Sequence, residues 1–147
     1  MNIFDLAKQK ILELETSIYP TIKDTFDTYG SVIREIQTED QLYKGKRSDG
    51  SIIRPAYTPF TIRIKLKKGQ PVDRVTWKDT GRLYEELSVK AYDDYLEIKT
   101  SVPYAEKLFE KYGDNVLGIQ QELLKDFLNN YILPNLKKSF DDKITKS

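Results

Sequence analysis

Apolar positions recur at helical spacing from the first residues of the chain. Ile3, Phe4, Leu6, Ile11, Leu12, Leu14 and Ile18 form a wide stripe, and Asn2 or Asp5 can supply the N-cap. Pro20 is expected to end or kink this helix. Thr21 can cap a continuation through Ile22 and Phe26, and Gly30 suits the position just past its end. A short helix can follow from Ser31, with Val32, Ile33 and Ile36 inward.

The pattern changes at Gln37. Lys44-Gly45-Lys46-Arg47-Ser48-Asp49-Gly50-Ser51 is polar, and Asp49-Gly50 is a turn signal. Its flanks, Gln41–Tyr43 and Ile52–Ile53, can pair as a short hairpin or leave an exposed loop. Pro55 argues against a long strand. The next segment points two ways. Thr58-Pro59 reads as an N-cap followed by proline in the first helical position. Yet Phe60, Ile62, Ile64 and Leu66 alternate with Thr61, Arg63, Lys65 and Lys67, which is the period of a strand. Gly69 and Pro71 end the segment in either case.

Asp79-Thr80-Gly81 reads as a helix start in which Asp79 or Thr80 caps the first turn, with Leu83 and Leu87 four apart on one face. Ser88–Tyr92 and Tyr95–Thr100 favour strand, with Asp93-Asp94 as the turn and Val89, Ala91, Leu96 and Ile98 inward. Pro103 opens a helix carrying Ala105, Leu108 and Phe109, closed by Gly113. Gln120 to about Phe140 is a long amphipathic helix that Pro134 must kink or split. The pattern predicts an α+β fold: a small antiparallel sheet with N-terminal helices and a long C-terminal helix packed on it. With 147 residues, one domain is expected. Within it run N-terminal helices (1–36), a basic loop or hairpin (37–57), a central core (58–118), the C-terminal helix (119–140) and a polar, frayed tail (141–147).

Composition narrows the chemistry. Hydrophobic residues make up 39% and charged residues 32%, a globular balance with no apolar run of membrane-spanning length. No signal-peptide pattern opens the chain, so cytoplasmic synthesis is expected. There is no cysteine and no histidine. That removes disulfides, thiol catalysis, Cys/His zinc sites and Ser-His-Asp chemistry. Glu85-Glu86, Asp93-Asp94 and Asp141-Asp142 are neighbours in sequence whose side chains diverge, so none forms a ready acid–base pair. Asp79-Thr80-Gly81 matches the aspartic-protease loop, but its helical surroundings and the short chain do not fit that fold. No phosphate-binding loop or nucleic-acid-binding signature is present. Ten tyrosines are scattered along the chain, as half-buried core edges or as material for a subunit interface.

The net charge of +1 hides a strong asymmetry. Residues 1–43 carry four basic and eight acidic groups, net −4; residues 44–68 carry eight basic and one acidic, net +7. The remaining 79 carry twelve basic and fourteen acidic, net −2. Lys44, Lys46, Arg47, Arg54, Arg63, Lys65, Lys67 and Lys68 form the basic block. Three fates are open to it: a solvated face, an acidic neighbour, or a phosphate backbone.

The order of motifs over about residues 40–118 resembles the phage virion-morphogenesis family typified by the G protein of phage Mu, and the related tail-completion and neck proteins of long-tailed phages. Pro55, Thr58, Thr61 and Lys65 stand in place of its proline and Thr-x-x-x-Lys helix. Trp77, Asp79, Thr80, Gly81, Leu83 and Leu87 fill its apolar–Asp-Thr-Gly-x-Leu motif. The hairpin follows, then Tyr104, Ala105 and Gly113. The Gly45–Gly50 loop, Lys68–Pro71 and Asp73–Thr76 resemble versions from phages and prophages of Bacteroidetes. Glu86 departs from the usual serine, and Asp114–Gly118 replaces an Arg-Pro-Phe-like segment.

The resemblance implies a helix over 58–68 and a structural protein of the head–tail junction, not an enzyme. No cofactor, metal or small-molecule substrate is implied. Its partners would be other neck or tail proteins, copies of itself in a ring, and packaged DNA at most in passing. It would act in the host cytoplasm during assembly and then in the virion. In such a ring the basic block is expected to meet an acidic neighbour, because the flanking parts of the chain are acidic. A nucleic-acid-binding module using 44–68 is the alternative. The Gly45–Ser51 loop is expected to be mobile until assembly.

Overall fold

The computed structural model describes residues 2–92 and 95–145. Helix α1 runs Ile3–Thr28, and the Asn2 side chain caps it by accepting the Asp5 N–H at 2.9 Å. Pro20 lies inside α1 and does not end it. A proline costs a helix interior about 3 kcal/mol. Ile22 and Phe26, two and six residues on, pack against a hydrophobic cluster and carry the helix through. Gly30 does not close α1. The Tyr29 N–H bonds the Thr25 carbonyl, and Gly30 begins α2 (Gly30–Glu35).

The chain stays helical past Gln37, as a π-helical segment over Ile36–Leu42. This widened turn faces Gln37, Thr38, Gln41 and Leu42 inward. Gln41–Tyr43 therefore pairs with no strand. A single antiparallel bridge, Lys46 to Ile52, closes the Asp49-Gly50 turn.

Over 59–67 capping prevails over alternation. Helix α3 spans Pro59–Lys67, with Thr58 Oγ1 accepting the Thr61 N–H at 3.3 Å. A period-2 pattern wound at 3.6 residues per turn cannot bury all its apolar residues. Phe60, Ile64 and Leu66 are exposed, and Lys65 is buried.

Helix α4 is one turn, Arg82–Glu85, preceded by Gly81 at φ 89°. Asp79 does not cap it; its carboxylate is turned to Lys68 and Gln70. Thr80 Oγ1 accepts the Arg82 N–H at 3.3 Å. Leu83 and Leu87 meet in one core cluster, although Leu87 already belongs to strand β1 (Leu87–Ala91). β1 pairs antiparallel with β2 (Leu96–Thr100), placing Val89 opposite Ile98 and Ala91 opposite Leu96. The expected Asp93-Asp94 turn lies outside the described residues.

Helix α5 (Ala105–Tyr112) stops at Gly113, whose φ of 96° suits glycine, and Asp114–Val116 forms a short 3-10 turn. Three consecutive segments make the C-terminal helical path: α6 (Gln121–Phe127), a π-helical segment Leu128–Ile132, and α7 (Leu133–Thr145). The wide turn just before Pro134 gives its ring room and absorbs its missing N–H. Residues 141–145 are helical rather than a frayed tail, and 146–147 are outside the described residues.

Two clusters hold this α+β arrangement. The first gathers Leu42, Val75, Trp77, Leu83, Tyr84 and Val116 with their neighbours. The second is Ile33, Phe127 and Ile132, faced by Phe26, which stacks on Phe127 at 5.4 Å. Ile98 borders both. Leu14 and Ile18 of α1 meet Leu136 and Phe140 of α7 around a small groove. No helix among the described residues is long and apolar enough to cross a membrane.

Candidate functional site

Trp77, Asp79, Thr80 and Tyr104 of the motif converge on one cleft. Trp77 stands at the centre of its wall with φ 54°, a left-handed backbone that a bulky residue adopts only under strain. Its ring is buried edge-on to Phe109 at 5.6 Å and beside Tyr112 at 6.0 Å. The indole N–H is buried with no hydrogen-bond partner among the described residues. Behind it, the Tyr84 hydroxyl donates to the Thr76 carbonyl at 2.6 Å. The Thr76 N–H in turn donates to the Tyr57 hydroxyl at 2.9 Å. Burial drives the Tyr84 phenol well above its ordinary pKa.

The cleft, about 520 Å³, is lined by Tyr57, Lys65, Trp77, Lys78, Asp79, Thr80, Arg82, Tyr104 and Leu108. Trp77, Asp79, Thr80 and Tyr104 thus meet as a set. Leu83 and Leu87 lie in the core, with Ala105 packed partly buried against it. Gly113 belongs elsewhere, against Arg47. The charges around the cleft are already engaged. The Asp79 carboxyl is held below its ordinary value of 3.8, first by the hydrogen bond from the Lys68 ammonium at 2.7 Å and then by Gln70. Arg82 pairs with Glu86 at 2.8 Å, and Ser101 donates to Glu86 at 3.1 Å. Glu86 therefore has a structural use. These carboxylates are kept ionised and are not poised to exchange protons near neutrality.

A depressed carboxyl pKa stabilises the fold above its unfolded value, and that contribution is lost as pH falls through the folded value. The gap in melting temperature between the protein and Asp79→Asn is accordingly expected to be widest near neutrality. It should close in acid below 3.8. The effect should be small, because the Asp79 side chain is 60% exposed. Parallel thermal melts across that range test it; a gap that persists in strong acid would contradict the pairing.

The basic block does not act as one surface. Arg47 turns inward. Its guanidinium donates to the Tyr112 carbonyl, to Asn115 Oδ1 at 2.8 Å and to the Arg54 carbonyl at 2.8 Å. The Tyr112 carbonyl lies at the C-terminal end of α5, where the helix dipole favours a cation. Lys65 is buried, donating to the Lys78 carbonyl at 3.1 Å and Gln70 Oε1 at 3.2 Å, with the Tyr57 ring 4.8 Å away. Lys68 is tied to Asp79. Arg47 and Lys65 are thus engaged within the fold, while Lys68 stays exposed in its ion pair. Lys44, Arg54, Arg63 and Lys67 are exposed, and Lys46 is half-buried.

The Gly45–Ser51 loop is hydrogen-bonded to the body of the protein. The Ser48 N–H bonds the Asn115 carbonyl at 3.0 Å, and the Ile53 N–H bonds the Gly45 carbonyl at 2.9 Å. A side chain at Gly45 would meet Arg74 Cβ at 2.9 Å, so the approach is tight.

Two features escaped the pattern reading. Gln37 and Gln41 are fully buried. Gln41 accepts the Gln120 N–H at 2.9 Å and donates to the Gly118 carbonyl, while Gln37 accepts the Gly118 N–H at 2.7 Å. Their signal was polar residues four apart, continuing the inward face begun by Ile33. The second is the uncovered apolar surface: Ile3, Phe4, Ile11 and Leu12 on α1, with Phe60, Ile64 and Leu66 on α3. Monomeric soluble proteins rarely leave large apolar patches contiguous and unused.

No family model, no curated protein and no solved structure matches the chain.

Proposed function

We propose that this chain is a structural subunit of a bacteriophage or prophage head–tail junction. It would complete the tail or build the neck through contacts with copies of itself and with other neck or tail proteins. The observation that carries the reading is where the two kinds of residue fall. Most of the motif residues are spent on a packed, ion-paired wall, whereas most of the large exposed apolar side chains sit on α1 and α3. A chain built to dock needs the second feature and has no need of reactive groups in the first. The motif order described above supplies the phage context. The inward turn of Arg47 and Lys65 takes two cations of the basic block away from the surface that the nucleic-acid alternative would use.

In this reading the protein gathers in the host cytoplasm and ends in the virion. The test is deletion of its gene from a genome that also carries capsid and tail genes, followed by electron microscopy of the lysate. Separate heads and tails are the expected result. Normal yields of joined particles would overturn the proposal.

A further inference from the structure

We propose that the outer edge of strand β2 pairs antiparallel with the same edge of a second copy, centred on Ile98, so that two hairpins merge into one four-stranded sheet. The inference rests on the strand edge alone and goes beyond the head–tail reading. Such a dimer is expected whether or not its copies also enter a ring.

The sheet is the pair β1-β2, and α1 and α2 lie against β1. β2 is therefore its open edge. The backbone groups of successive strand residues point alternately to either side. The Tyr92 N–H donates to the Tyr95 carbonyl at 2.8 Å, so Tyr95 faces β1. Glu97 and Lys99 do the same, opposite Lys90 and Ser88. Leu96, Ile98 and Thr100 turn their N–H and C=O groups the other way. Those groups have no hydrogen-bond partner among the described residues. Beside them runs a groove of about 420 Å³ whose lining includes Leu96, Ile98, Leu117, Ile119 and Leu124. A row of alternating donors and acceptors with room alongside it is met by another strand.

The residues of β2 select its own copy as that strand. Leu96-Glu97-Ile98-Lys99-Thr100 carries opposite charges on either side of Ile98. In an antiparallel pair centred there, Ile98 opposes Ile98, Leu96 opposes Thr100, and Glu97 opposes Lys99 of the second copy. The outward groups then meet outward groups, and each facing pair exchanges two N–H···O bonds. Within one chain the Lys99 ammonium already lies 3.4 Å from Glu97 Oε1. In the dimer each ammonium stands beside two carboxylates, and each carboxylate beside two ammonium groups. A register in which Ile98 opposes Leu96 or Thr100 sets Glu97 against Glu97 or Lys99 against Lys99, which is destabilising. Lys90, opposite Glu97 on β1, stands one strand back from the seam, about 10 Å from the strand of the second copy. The contact uses the same surface on both copies, so it closes at two.

The experiment uses Glu97→Lys and Lys99→Glu in the full chain, separately, mixed, and combined in one chain. The two side chains are 35% and 67% exposed, and lysine and glutamate suit a strand about equally, so folding should survive; circular dichroism and melting temperature check it. Sedimentation velocity over a concentration series at low salt should show a monomer–dimer equilibrium for the unaltered chain. Either single variant sets like charges against each other on both sides of Ile98 and should raise the dissociation constant about tenfold or more. The chain with both substitutions restores opposite pairs and should dimerise like the unaltered one. An equimolar mixture of the single variants should form a heterodimer more readily than either forms a homodimer. Amide exchange at Ile98 should slow as concentration rises, while Glu97 and Lys99, already bonded to β1, should not change. A folded Glu97→Lys chain that dimerises as tightly as the unaltered one, or a dimer with unchanged exchange at Ile98, would overturn the β2 contact. An unaltered chain that is monomeric at every concentration would overturn it too, and would leave the edge to an extended segment of another protein.

Discussion

Trp77→Ala is expected to lower the free energy of unfolding by about 3–5 kcal/mol, the usual cost of emptying a large aromatic site in a core. The side chain is 7% exposed and packs against Phe109 and Tyr112. Two penalties already present in the native protein shape the rest of the series. The backbone at φ 54° costs about 1–2 kcal/mol for any residue with a Cβ. The indole N–H is buried unpaired. Trp77→Phe keeps most of the packing and discards the unpaired donor, so its loss should stay under about 1.5 kcal/mol. Trp77→Gly empties the same site as alanine but releases the backbone strain. It should therefore be the more stable of the two by about 1 kcal/mol. Urea unfolding followed by circular dichroism measures all three, since the chain has one tryptophan and fluorescence would vanish. A Trp77→Phe variant as weak as Trp77→Ala would mean that the indole N–H has found a partner.

Gln41→Leu should cost about 2–5 kcal/mol although the two side chains are similar in size. Gln41 is fully buried on the π-helical segment and joins it to the connection before α6 through the Gly118 carbonyl and the Gln120 N–H. Leucine fills the space and strands both backbone groups, each at about 1–3 kcal/mol. Gln41→Glu separates the two contacts. Its carboxylate can still accept from Gln120 but repels the Gly118 carbonyl, and burial raises its pKa. A group whose folded pKa is raised is more easily accommodated protonated, so the Gln41→Glu deficit should shrink as pH falls. Amide exchange at Gln120 should accelerate in Gln41→Leu and remain slow in Gln41→Glu at low pH. Unchanged exchange at Gln120 in both would show that the clamp is not what holds this connection.

Much of the architecture was legible where local chemistry and packing agree. Asn2 and Thr58-Pro59 start helices because their side chains and ring serve the first turn whatever lies around them. The hairpin followed from alternation, and Gly113 from the need for a positive φ. The failures share a different origin. Pro20 was read as ending or kinking α1; it does not end it, and the packing that carries α1 on comes from Ile22 and Phe26 in the cluster around Phe127, a partner a hundred residues away. The eight cations of the basic block were read as a solvated face or as contacts to an acidic neighbour or a phosphate backbone, all of which place them outward. The acceptors that capture Arg47 and Lys65 are backbone carbonyls of Tyr112, Arg54 and Lys78, which carry no signature in a sequence. The π-helical segments were invisible for the same reason, since a widened turn is a response to what must be reached across it. At the cleft, motif order named Trp77, Asp79, Thr80 and Tyr104, but neither their meeting nor the strain at Trp77 could be read from it.

Helix α1 is also a lever. Its 26 residues make a rod about 39 Å long, gripped at its C-terminal half by α7 and the sheet. From Leu14 to Ile3 the span is about 17 Å, so a tilt of about ten degrees at the grip carries the tip sideways by about 3 Å. A small rotation at the grip is thus amplified along the rod, and the place where α1 meets α7 sets the direction in which its far end points.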